Sequence, residues 1–233
     1  MTADVRLSII VASTGRPSLA NALASASSQM LAGDELILVF DDSNDAGDTP
    51  RNRVLDSATG THIVFLDDDD EYVPGALETI RRFARANPGR IGIFRVNFGL
   101  WGPAWRDADR TLMGTATAMY VIPNLPGRVG RFGRVPGAAP GRLGDYRFIV
   151  ETVALQGEPV WCEQVTQEIR PEKRRLHRVR SRVKLRTRIK GALGIDAPQP
   201  TRPVRSYPEA EEWAAERLPE LRGRLVASGP PDG

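Results

Sequence analysis

Cysteine is nearly absent from this chain: Cys162 is the only one in 233 residues. An internal disulfide framework is thereby excluded, a buried structural thiol is the expected role, and a reducing compartment fits. Long apolar runs are missing too. No stretch approaches the roughly 18 to 20 apolar residues of a membrane span. The opening MTADVRLSIIVAS sets an acid before a very short apolar run, so it reads as a first strand, not a signal peptide. A cytoplasmic protein is expected. No internal repeat is visible, which excludes a solenoid. Acids are scarce in one place only. Residues 170–190 hold 11 Lys or Arg against the single acid Glu172, so a net charge of +3 hides a basic segment joined to a mildly acidic remainder.

With 41% hydrophobic residues the chain can bury the core of one ordinary domain with an appendage. Three apolar, β-branched-rich runs, residues 7–11, 35–40 and 63–66, read as strands. Helical segments separate them. The first, 17–30, opens with Pro17 and Ser18 and sets Leu19, Leu23 and Ala26 on one face; the second, 49–58, stops at Gly60. A third amphipathic run, 74–86, ends at Asn87-Pro88-Gly89. This alternation predicts an α/β fold of right-handed βαβ units, with a mostly parallel sheet flanked by helices. Further strands are expected at 91–98, in TATAMYVI and at 159–169, and the Gly-, Pro- and Arg-dense residues 123–144 read as a long mobile loop of the lid kind. The domain is expected over 1–170, in halves of 1–98 and 99–170. A basic helical tail with a Pro-rich linker, APQPTRPVRSYP, and a short helix at 209–226 completes 171–233.

Asp41-Asp42 falls just past the second strand, and Asp67 to Asp70, in FLDDDDEY, just past the third. Ligands of open α/β sheets bind outside the C-terminal strand ends, so both groups should face one crevice. Such crowding needs an offset, since two carboxylates ~4 Å apart repel by roughly 4 kcal/mol at an effective dielectric near 20. Hard carboxylate oxygens suit Mn2+ or Mg2+, which commonly bind one or two carboxylates together with substrate phosphates. On an extended segment Asp67 and Asp69 would point one way, Asp68 and Asp70 the other. The competing explanation is a helix-start box, with Asp70 and Glu71 complementing the helix near Pro74.

Taken in order, SIIVASTGRPSLANALASASSQ, ELILVFDDSN and TPRNRVLDSATGTHIVFLDDDDEYVPGALE resemble the nucleotide-sugar-binding half of the family 2 glycosyltransferases, which have the GT-A fold. The resemblance covers residues 5–97. It implies metal-assisted, inverting transfer of a hexosyl or N-acetylhexosaminyl group from a nucleotide-diphospho-sugar, foremost a UDP-sugar, to an acceptor hydroxyl. It sets the D-x-D motif at Asp67-Asp68-Asp69, with Asp69 and Asp67 toward Mn2+ or Mg2+ and Asp67 and Asp68 near ribose and diphosphate. Asp42 is implied at the nucleobase, Arg51 of the Arg51-Asn52 pair at base or phosphate, and Ala12, Ser13 and Thr14 beside the base. A carboxylate can accept the imide N–H of uracil, and guanine offers donors as well, so the nucleotide stays open. Ala12-Ser13-Thr14-Gly15 departs from the Pro-Thr-Tyr-Asn type of sequence usual there.

The same resemblance implies a general base at a helix start some tens of residues further on. Gly144-Asp145-Tyr146-Arg147-Phe148 matches, so Asp145 is the candidate base, an N-cap role being compatible with it and Glu151 the fallback. Some enzymes of this fold use a C-terminal histidine as an extra metal ligand, but His177 sits in the basic run and reads as adding to its charge; His62 reads as structural. Trp101 and Trp105 can stack on an acceptor sugar or pack their loop.

Residues 178–190 place a basic residue at every even position, but Pro171, Glu172 and Gly191 around them mark a helix. Near anionic lipid such cations gain about 1 kcal/mol each. The segment is therefore expected to dock at the inner membrane face, near a saccharide, lipid-linked or small-molecule acceptor, while nothing in it points to nucleic acid. Two other readings use the same residues: a nucleotidyltransferase of similar sheet, for which STGRPS is a poor phosphate loop, and a non-catalytic GT-A-like protein that holds anionic partners by its tail. In liposome flotation, anionic vesicles are expected to recover more protein than neutral ones. Equal recovery would remove the membrane role.

Overall fold

A computed structural model of the chain describes residues 4–99, 102–105, 110–135, 143–171 and 207–228. The three apolar runs form β1 (Leu7–Ser13), β2 (Glu35–Phe40) and β3 (His62–Asp67). β1 runs parallel to both neighbours, with Val11 opposite Leu38 on one side and Leu66 on the other. It is buried along its whole length, as befits a central parallel strand covered on both faces. The crossovers are α1 (Leu19–Ser27) and α2 (Asp48–Leu55).

Next come the short β4 (Glu71–Tyr72), α3 (Ala76–Ala86), β5 (Gly92–Asn97) and β6 (Pro103–Ala104). They are followed by β7 (Tyr120–Pro123), α4 (Gly144–Gln156), β8 (Val160–Glu168) and α5 (Pro208–Ser228). The sheet order is β2-β1-β3-β7-β5-β8-β4, with β6 beside β5. β7 is antiparallel to β3 and β5, while β8 returns parallel to β5. The result is a mixed sheet flanked by helices, parallel where the acidic groups lie.

Alternation along the strands builds two cores. Ile9 and Val11 pack with Ala22, Leu77 and Ile80 of α1 and α3. Ile10, Ile63 and Phe65 pack on the other face with Phe132, Phe148 and Ile149. α3 is further tied by a buried ion pair between Arg81 and Asp34, and Asp34 also accepts the Leu7 and Leu31 N–H groups.

Several expectations change. Glu71 does not cap α3: it lies in β4 opposite Glu168, Gly75 with φ 79° precedes the helix, and no side chain caps it. TATAMYVI is only partly a strand, because residues 117–119 turn as a 3-10 helix before β7. The described part of the expected lid is packed down. Gly130 N–H donates to Thr152 Oγ1 at 3.0 Å, and the Phe132 ring stacks on Phe148 at 4.3 Å, so Gly130 and Phe132 anchor this stretch on the core. Trp105 is buried edge-on to Trp161, with Nε1 donating to the Ile93 carbonyl and the Arg95 and Arg110 guanidinium groups 4.6 Å from its ring. It packs its loop and has no face for a sugar. Trp101, His177, residues 136–142 and the basic segment with its linker, 172–206, lie outside the described residues. α5 docks on α4 where Ala210 and Ala214 meet Tyr146 and Val150. Among the described residues no helix is long and apolar enough to cross a membrane.

Two buried groups stay neutral. Burial pushes the Cys162 thiol up to about 12 and holds the His62 imidazole down at about 4, beside Thr61 Oγ1. An unfolded chain takes up a proton on this histidine near pH 6.5, which the fold refuses, so stability falls as pH drops from about 6.5 toward 4. His62→Gln is expected to lose less of its urea midpoint between pH 7 and pH 5 than the wild type. An equal loss in both would mean that His62 does not drive the acid sensitivity.

Candidate active site

β3 ends at Asp67, where the chain turns back on itself: Asp70 N–H donates to the Asp67 carbonyl at 3.1 Å. The four aspartates therefore wrap a turn, and the alternation expected of an extended segment fails. Asp68 points inward, its Oδ2 accepting from Ser13 Oγ and Thr14 N–H at 2.9 Å each, while Arg16 Nη1 reaches Oδ1 at 3.2 Å. Asp69 Oδ2 meets Arg16 Nη1 at 2.8 Å and Arg170 Nε at 3.2 Å. Asp70 Oδ1 accepts Arg170 N–H at 2.9 Å. Burial, then the Asp67 charge, pushes the Asp70 carboxyl up to about 8. The crowding of like charge is thus offset by Arg16, Arg170 and backbone N–H groups on one side and by Arg51 on the other.

Arg51 is not a solvated helix residue. It is only 4% exposed, with Nη2 at 2.5 Å from Asp67 Oδ1, Nη1 donating to the Ala46 carbonyl at 2.9 Å, and its guanidinium 5.5 Å from the Phe132 ring. Burial works against its charge, but Asp67, Asp145 and Asp48 more than offset this and raise its pKa. Gly47 lets the guanidinium in: its φ is 86°, and a Cβ there would lie 2.6 Å from Nη1. Asn52 clamps the strand-like segment beneath, donating to the Phe132 carbonyl and accepting the Phe132 N–H.

Asp145 stands in the first turn of α4, where its Oδ2 accepts Thr117 N–H at 3.2 Å. Its charge reaches Arg51, Asp48 and the buried Tyr120 phenol, whose pKa is raised first by burial and then by Asp145. Asp145 and the Asp67 turn are therefore gathered around one guanidinium at the C-terminal ends of β1 and β3. Glu151 is drawn away from them, buried between Arg147 Nε at 3.1 Å and Arg131 N–H at 3.0 Å. At the β2 end, Asp41 Oδ1 is used by Ser43 in a tight turn, whereas the Asp42 side chain is 76% exposed and meets Arg53 at 3.2 Å. Ala12 is buried opposite Asp67, Ser13 lies under Asp68, and Thr14 is open to solvent.

Sequence reasoning missed Arg16, Arg170 and Asp48. Arg16 follows the Thr14-Gly15 turn and Arg170 the last strand, so both were visible as cations at strand ends. Asp48 left one signal, the glycine before Asp145: the Asp48 carboxylate fills the space in which a Gly144 side chain would start.

The architecture is GT-A-like, a mixed sheet flanked by helices with the acidic groups at its parallel strand ends. S. aureus TarS 1–349 matches with a TM-score of 0.56 and 14% identity over 76% of this chain and 64% of that chain. The same protein in complex with UDP-GlcNAc gives 0.55 and 13% over 70% of this chain and 58% of that one, and in complex with UDP 0.53 and 13%. The chain thus spans less than two thirds of these relatives' length, and at such identity the likeness is one of fold. No family model matches the sequence, and no curated protein sequence matches it.

If Arg51 holds the Asp67 turn, Arg51→Met lowers the urea midpoint by stranding a carboxylate, and adding Asp67→Asn restores part of the loss. Equal midpoints for the single and double variants would show that the pair does not hold the turn.

Proposed function

We propose that this protein is a nucleotide-sugar-dependent glycosyltransferase of the family 2 kind, moving a hexosyl or N-acetylhexosaminyl group from a UDP-sugar to an acceptor hydroxyl with inversion. The observation that carries this is the gathering of the Asp67 turn and Asp145 around Arg51 at the C-terminal strand ends. The fold shared with complexes of UDP and UDP-GlcNAc supports a UDP-sugar donor.

In this reading Asp42 and Thr14 meet the base, Ala12 and Ser13 form the floor beneath it, and Asp68 braces that floor. Arg51 is enclosed, so it acts on the donor through Asp67 and not by direct contact. Among the described residues no cluster of three or more His, Cys, Asp or Glu makes a metal cage. The donor chemistry of the turn nonetheless fits a hard divalent ion. Asp67 Oδ2 and Asp69 Oδ1 have no hydrogen-bond partner among the described residues, and the Asp67 side chain is 41% exposed. Asp67 and Asp69 would hold Mn2+ or Mg2+ jointly with the substrate phosphates, giving Lewis-acid stabilisation of the departing diphosphate. Asp145 takes the proton of the acceptor hydroxyl while that oxygen bonds to the anomeric carbon. The bond from that carbon to the diphosphate oxygen breaks, and the electron pair leaves with the nucleotide. The basic segment 171–190 would hold this cytoplasmic enzyme at an anionic membrane face.

One observation favours a second reading. Arg16 and Arg170 already bind Asp69, as suits a non-catalytic relative whose acidic turn is structural. Calorimetric titration of UDP, GDP and dTDP, with and without Mn2+ and beside Asp69→Ala, separates the two. The expected result is Mn2+-dependent binding of UDP that the variant loses. Failure of all three nucleotides to bind would leave the turn as a structural device.

A further inference from the structure

A diphosphate lying against the acidic turn needs cations, and Arg51, enclosed and spent on Asp67 and the Ala46 carbonyl, cannot reach it. Two other guanidinium groups can. The Arg16 and Arg170 side chains are 48% and 55% exposed, and both rest on Asp69 Oδ2, at 2.8 Å and 3.2 Å. The turn keeps other ties without them. Asp68 Oδ2 accepts from Ser13 Oγ and Thr14 N–H, and Asp70 Oδ1 accepts the Arg170 backbone N–H, a bond that any side chain at position 170 leaves in place. The chain reaches that bond by leaving β8 with φ 51° at Arg170, a conformation uncommon outside glycine.

Most donors of the two groups are also unspent. Arg16 meets Asp68 and Asp69 through Nη1, and Arg170 meets Asp69 through Nε, so among the described residues Arg16 Nη2 and both Arg170 Nη groups have no acceptor. A guanidinium carries five N–H donors in a planar fork that matches phosphate oxygens. Charge sets the condition for using them. Four aspartates face Arg16, Arg51 and Arg170, which leaves no positive surplus for a diphosphate. A divalent cation on Asp67 and Asp69 reverses that balance and competes with both arginines for Asp69.

We propose that Arg16 and Arg170 are the diphosphate-binding residues of the donor site, paired with Asp69 until a divalent cation takes that carboxylate and then turned onto the phosphate oxygens. The inference rests on the nucleotide-sugar reading and adds which side chains meet the leaving group. The same contacts that suit a structural turn are, on this account, the resting state of a binding one.

The test is calorimetry on the full chain carrying Arg16→Gln or Arg170→Gln. With Mn2+ present each variant is expected to bind UDP about tenfold more weakly than the wild type, the loss of one charge-assisted hydrogen bond. Mn2+ alone, followed by the EPR signal of the free ion, is expected to bind each variant more tightly, because Asp69 has lost a competing cation. Those opposite signs separate the proposal from a structural role, in which a loosened turn weakens both. Arg170→Lys, which keeps the charge without the fork, is expected to recover part of the UDP affinity, and uridine, which has no phosphate, to bind wild type and variants alike. UDP affinity unchanged in both variants, or Mn2+ binding weakened together with UDP binding, overturns the proposal. A wild type that binds no UDP ends the transferase reading and this proposal with it, whereas unchanged variants of a UDP-binding wild type end this proposal alone.

Discussion

One buried guanidinium organises this molecule. Taking the Arg51 charge out of water is expensive unless anions come with it, and the anions near it belong to different parts of the chain. Asp67 comes from the end of β3, Asp48 from the start of α2 and Asp145 from the start of α4. The Ala46 carbonyl and the Phe132 ring complete the enclosure. Remove that charge, and three carboxylates from three elements have no common reason to converge. The crevice at the sheet's C-terminal edge is therefore an electrostatic construction laid over a hydrophobic one.

The acidic turn obeys the same logic on its other flank. Arg16 enters from the loop after β1 and Arg170 from the residue beyond Ile169 at the end of the last strand, and together they hold Asp68, Asp69 and Asp70. Four consecutive aspartates thus fold without mutual repulsion winning, because Arg51 takes Asp67, Arg16 bridges Asp68 and Asp69, and Arg170 bridges Asp69 and Asp70. The geometry follows from the turn, which splays the side chains as an extended strand could not.

Much of the fold was legible in apolar periodicity. β1, β2, β3, β5, β8 and the three early helices lie close to where alternation and stop signals put them, since each carries its own local pattern. What escaped were elements defined by partners distant in sequence. Glu71 and Tyr72 look like a helix entrance until Glu168 and Gln167 pair with them. Residues 124–135 look like a lid until Asn52 and Phe148 hold Phe132. The candidate site divides the same way. Aspartates at strand ends announce themselves by crowding, whereas the roles of the arginines that balance them and of the enclosed Asp48 are set by partners distant in sequence.

The separations behind those contacts bear on how the chain reaches this state. Asp70 and Arg170 are 100 positions apart, and Gln167 donates to the Phe65 carbonyl across 102. Contacts of such high order close large loops and form late. During synthesis β1, β2, β3 and the acidic turn, with Arg16 and Arg51, leave the ribosome well before Arg170. Until Arg170 arrives, Asp69 and Asp70 each lack one of their donors, so the turn is completed only when β8 closes against β5 and β4.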